Sequence, residues 1–125
     1  MKGSIPSKTE QIEALMRGTA YELTMKYAGR DKSGSPQYSK VFNITRKAVE
    51  EYLREHYLLD SLPFTHSSPG SNDGIYIIPV IEGYFVYYQE RGIRNPEYLV
   101  PSENDAWKFY VDFRLRASGT GLRWE

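Results

Sequence analysis

Gly83-Tyr84-Phe85-Val86-Tyr87-Tyr88-Gln89-Glu90-Arg91-Gly92 is the stretch whose reading decides the fold. It reads as an aromatic strand that ends on a charged pair and a glycine. Tyr84, Val86 and Tyr88 share one face, and Phe85 and Tyr87 share the other. Upstream, residues 75–80 are apolar in both phases, which places that strand in the sheet interior. Glu82-Gly83 supplies the turn between the two strands, because glycine accepts positive φ. Downstream, a short loop leads to Ser102-Glu103-Asn104-Asp105-Ala106, the capped start of a helix. Glu103 and Asp105 lie in its first turn, where the helix dipole favours anions. Ala106, Phe109, Tyr110 and Phe113 form its buried stripe, and Gly119 ends it.

The N-terminal half carries weaker signals. Ser7-Lys8-Thr9-Glu10 is a capping box, followed by Ile12, Leu15 and Met16 at helical spacing and Gly18 as terminator. Tyr21, Leu23, Met25 and Tyr27 alternate with Glu22, Thr24 and Lys26, which predicts a half-buried strand. Residues 29–36 form a polar turn. Residues 37–45 read as the return strand, with Tyr38, Phe42 and Ile44 in one phase. Thr45 caps a second helix with the stripe Ala48, Val49, Tyr52, Leu53 and Tyr57. Residues 61–74 form a loop of a length that is uncommon in compact domains and often functional.

The predicted order is α-β-β-α-β-β-α. That is an α+β fold with a mostly antiparallel four-stranded sheet and three helices on one face. The expected core contains Leu23, Phe42, Val49, Leu53, Ile77, Val86, Ala106 and Phe113. Trp124 is expected to dock back onto the domain. The chain has 125 residues, which fits a single domain over 1–125 that needs no metal or disulfide staple.

Composition excludes several functions. Cysteine is absent, so disulfides and thiolate metal sites are ruled out. Lys+Arg and Asp+Glu both number 16, and this balance argues against a general nucleic-acid binder. No stretch approaches the roughly 20 apolar residues that span a membrane, and the N-terminus has no signal-peptide run, so a cytoplasmic protein is expected. The 11 tyrosines suit half-buried sheet faces and binding surfaces alike. An aromatic sheet face can stack RNA bases, but the basic surround and the RNA-recognition strand pattern are missing.

Catalytic constellations are also missing. His66, Ser67, Ser68 and Asp73 supply the letters of a serine triad without a strand–serine–helix elbow. His56 and His66 lack metal-ligand spacing. Residues 68–74 resemble a phosphate loop only in composition, since a strand follows instead of a helix. The expectation is therefore no enzyme, no cofactor and no metal.

The block ending Tyr87-Tyr88-Gln89-Glu90-Arg91-Gly92, followed by a loop and Ser102-Glu103-Asn104-Asp105-Ala106 with Phe109, Tyr110 and Phe113, resembles small bacterial immunity proteins of polymorphic toxin systems. The resemblance covers the C-terminal third of the chain. It implies a cytoplasmic protein that neutralises a cognate protein toxin by binding it, without catalysis. Asn72, Asp73, Glu82, Tyr87, Glu90 and Arg91 are the expected partner-binding residues, with Tyr and Arg as anchors and the acidic groups steering encounter. The competing readings are a small-molecule-binding or enzymatic domain using residues 61–74 as a lid, and an adaptor subunit unconnected with toxins.

Overall fold

The computed structural model describes residues 5–124. They divide into two compact units, the described residues up to Leu53 together with those from Phe113 onward, and Arg54–Asp112. Among the described residues there are four α-helices, one more than expected: α1 Lys8–Arg17, α2 Ala20–Tyr27, α3 Arg46–His56 and α4 Glu103–Ala117. One sheet contains β1 Thr65–His66, β2 Gly74–Val80, β3 Gly83–Glu90 and β4 Ile93–Val100 in that spatial order. β1 pairs parallel with β2, and the other pairings are antiparallel. The α+β class and the mostly antiparallel four-stranded sheet stand. The element order differs, with three helices before the strands and one after.

In the first unit the caps form as their chemistry requires. Ser7 and Glu10 close the capping box on α1, and Gly18 ends it with φ 78°. The Thr45 hydroxyl accepts the Ala48 amide at 3.1 Å to start α3. Ile12, Leu15, Met16, Val41, Phe42, Val49 and Leu53 are buried. Trp124 packs edge-on against Phe42 with ring centroids 6.1 Å apart. The Asp31 carboxylate organises the polar turn, accepting the Ser33 hydroxyl and the Ser33 and Ser35 amides. These bonds, the Ser33 hydroxyl foremost, hold its carboxyl below the ordinary range.

Two expected strands are absent from this unit. The alternation over 21–27 sits on α2, whose buried residues Ala20 and Thr24 are four apart. Glu22, Leu23, Met25 and Lys26 all favour helix, and Gly18 and Gly29 confine the segment to a few turns. Leu23 is therefore half-buried instead of central to a core. Residues 37–45 contain a single 3₁₀ turn, Tyr38–Lys40, and then an irregular run. The Gln11 side chain takes the place of a strand partner there. It accepts the Asn43 amide at 3.0 Å and donates to Asn43 Oδ1 and the Pro6 carbonyl, each at 2.9 Å.

The second unit holds the sheet. β2 is central, as its two apolar phases require, and Ile75, Tyr76 and Ile77 are all buried. β2 and β3 form the expected hairpin through Ile81-Glu82. Gly83 has φ 140°, and a Cβ there would lie 2.1 Å from the Val100 carbonyl oxygen. Only glycine fits this approach of β3 to the end of β4. β4 occupies residues read from sequence as loop. Arg91 (φ 52°) and Gly92 (φ 79°) form a two-residue turn with both central residues left-handed, the geometry that joins twisted strands. Pro96 lacks an amide hydrogen. It is tolerated because β4 is an edge strand and the register shifts beside it, between Tyr87 and Gln89 of β3. Ser102 caps α4, its Oγ accepting the Asp105 amide at 3.2 Å. Of the remaining expected core, Val86 and Ala106 are buried and Phe113 is half-buried.

Candidate functional site

The sheet has two ends of different character within the second unit. At the first, residues 70–73 meet the β3–β4 turn. Asp73 Oδ1 accepts the Arg91 amide at 2.8 Å. Gln89 is buried, and its side-chain amide donates to the carbonyls of Gly70 at 2.8 Å and Asn72 at 3.1 Å. The Tyr76 hydroxyl donates to the same Asn72 carbonyl at 2.6 Å. Glu90 accepts the Tyr88 hydroxyl at 2.9 Å. Asn72, Asp73, Glu90 and Arg91 therefore gather in one exposed cluster. The sequence left the loop and the strand end as separate patches. What joins them is Gln89, a side chain that sequence reasoning passed over.

Tyr87 behaves differently. It has no exposed surface, so it is a core residue and offers nothing to a partner. Its ring stacks on Tyr76 at 4.7 Å with 9° between planes, and the Arg94 guanidinium lies 4.5 Å from its centroid. His66 extends the row, 4.6 Å from Tyr76. The Tyr87 hydroxyl is buried and has no hydrogen-bond partner among the described residues. Burial pushes its phenol above the ordinary range, while Arg94 pulls it back in part.

The triad letters do not assemble into a triad. His66 Nε2 lies 3.2 Å from the Asp73 main-chain carbonyl, while the Asp73 carboxylate is taken by Arg91. Gly74 makes this possible, since a Cβ there would come within 2.9 Å of the imidazole. Among the described residues, no group of three or more His, Cys, Asp or Glu could hold a metal ion.

β4 contributes the largest exposed apolar surface on the sheet. Ile93, Tyr98 and Leu99 are 70%, 55% and 58% exposed, and among the described residues one edge of the strand has no neighbour in the sheet. Sequence reasoning missed this strand because Pro96 interrupts it. The Arg-Gly pair after an alternating run was the available signal.

Glu82 lies apart from the other candidates, in the turn at the second end of the sheet, next to a fully exposed Ile81. Near that end a pocket of ≈ 420 Å³ opens on the Ile77–Tyr84 face. Its lining includes Leu58, Leu59, Ile77 and Pro79 together with Asp60, Ser67, Tyr84 and Glu103. Five separate segments build it, so no local pattern announces it.

No family model, curated protein or solved structure matches this chain. Among the described residues, no helix is long and apolar enough to cross a membrane.

Proposed function

We propose that the protein is an immunity protein that binds and neutralises a cognate bacterial toxin in the cytoplasm, without catalysis. The observation that carries this reading is the outer strand β4, which presents Ile93, Tyr98 and Leu99 to solvent beside an unpaired backbone edge. Exposed apolar strand edges are what partner chains cover, by strand addition or by side-chain packing. The Arg91 turn continues this surface. Its backbone is fixed by Asp73, so less ordering entropy is lost on docking. Tyr98 and Leu99 lie on opposite faces of the sheet, opposite Val86 and Phe85, so exposed apolar side chains flank the strand edge on both sides, and Asn72, Asp73, Glu90 and Arg91 form a charged rim at its start.

The test is affinity capture of the tagged full-length protein from its own cells. The expected result is one stoichiometric protein that poisons a host when expressed alone and not when co-expressed with this chain. Recovery of no stoichiometric partner, or of one without toxicity, overturns the reading. The pocket favours a second reading as a ligand-binding domain, with the segment carrying Ser67 as part of its wall.

A further inference from the structure

The pocket near the turn end has a chemistry of its own. Its apolar lining is Leu58, Leu59, Ile77 and Pro79. Asp60, Ser67, Tyr84 and Glu103 bring two negative charges, a hydroxyl and a phenol to the same space. Among the described residues, none of these four side chains is engaged in a hydrogen bond or an ion pair. This differs from the residue 70–73 end, where polar groups are tied to one another. Polar groups that converge on a concave apolar space without internal partners are the ordinary make-up of a ligand site. The volume falls within the range of roughly 300–1,000 Å³ typical of such sites.

The charges choose the ligand. Asp60 and Glu103 are exposed carboxylates, and with no Lys or Arg in the lining they disfavour an anion and attract a cation. The Tyr84 ring adds a face that attracts cations. We propose that this pocket binds an apolar cation, a short alkyl or aryl stem ending in an ammonium or guanidinium group. The stem occupies the Leu58–Ile77–Pro79 side, and the charged end meets Asp60 and Glu103. A free amine and a lysine or arginine side chain of another protein share this chemistry. The inference is independent of the toxin-binding reading. A toxin bound on β4 with the pocket idle would defeat it alone.

The test is an NMR titration of the ¹⁵N-labelled full-length protein with phenethylammonium and, separately, with phenethyl alcohol. The expected result is saturable shifts at Ile77, Tyr84 and Glu103, with the alcohol at least fivefold weaker. Asp60→Asn and Glu103→Gln, made singly to keep shape, should each weaken the cation at least threefold, and added salt should weaken it in the wild type. The salt series reads the charge contribution even where a variant fails to fold. Equal affinity for alcohol and ammonium, absence of saturable shifts, or salt-independent binding overturns the proposal. A capped Gly-Lys-Gly peptide separates the sources. Tighter binding of the peptide assigns the site to a partner's side chain, and tighter binding of phenethylammonium assigns it to a free amine; either result sustains the site.

Discussion

The two ends of the sheet use polar residues in opposite ways. At the 70–73 end, Gln89, Tyr76, Asp73 and Glu90 satisfy one another or the backbone. At the turn end, Asp60, Ser67, Tyr84 and Glu103 face a cavity with no partner among the described residues. Groups that are tied fix a shape, whereas Asp60, Ser67 and Glu103 are exposed and keep their polar atoms available to solvent or a ligand. The first end can present a rigid surface to a macromolecule, with Arg91 held by its amide and β4 running out from it. The second can enclose something small and positively charged. The contrast also separates binding candidates from structural ones, and it moves Tyr87 into the structural class.

The sharpest way to break this contrast is Tyr87→Ala. Removing a fully buried aromatic ring should lower unfolding free energy by about 3–5 kcal/mol, read by urea denaturation. A change below about 1 kcal/mol would return Tyr87 to the surface candidates. Gly83→Ala should cost about 2–4 kcal/mol by the same measurement, because a Cβ would meet the Val100 carbonyl at a φ of 140°. Gln89→Ala should cost about 1–3 kcal/mol, since it removes the side-chain donor to the Gly70 carbonyl and one of the two donors to the Asn72 carbonyl, which keeps Tyr76.

Tyr87→Phe probes the one untied polar group buried beneath the aromatic row. It removes a hydroxyl that has no partner, so stability near neutral pH should stay level or rise by up to about 1 kcal/mol. Above pH 9 the wild type and the variant should diverge. The folded phenol is raised above its unfolded value of about 10, so the folded state holds that proton more tightly. Its contribution is fully present below the unfolded value and is lost as pH rises through the folded one. Thermal melts between pH 8 and 11 should show a shallower alkaline decline for the phenylalanine variant. The smallest effect belongs to Glu103→Gln, an exposed change expected to alter stability by less than about 0.5 kcal/mol while weakening cation binding.

How much of this was legible in the sequence follows from the range of the interactions. Caps at Ser7, Thr45 and Ser102 are local features and form as read, and the β2–β3 hairpin forms with its turn one residue earlier than expected, at Ile81-Glu82, Gly83 being paired with Val80. The segment 21–27 misleads because seven residues of alternating polarity fit either period, and the helix-favouring Glu22, Leu23, Met25 and Lys26 decide for helix. Residues 37–45 read as extended, but the Asn43 amide finds its partner in Gln11, more than thirty residues earlier, and Val41 and Phe42 donate back to Tyr38. β4 was hidden by Pro96, although an edge strand accepts proline. At the candidate site, strand alternation gave the faces of β3 correctly. It carries no information on which face residues 70–73 fold against, so Tyr87 read as exposed. The pocket draws on segments from Leu58 to Glu103 and has no local signature.

The most direct measurement of the central claim is hydrogen exchange on the complex recovered by affinity capture, compared with the free protein. The account expects slowed exchange across β4 and residues 70–73 and 90–92, with 58–61 unchanged. Slowing confined to 58–61 and the start of α4, with β4 exchanging as in the free protein, would contradict it.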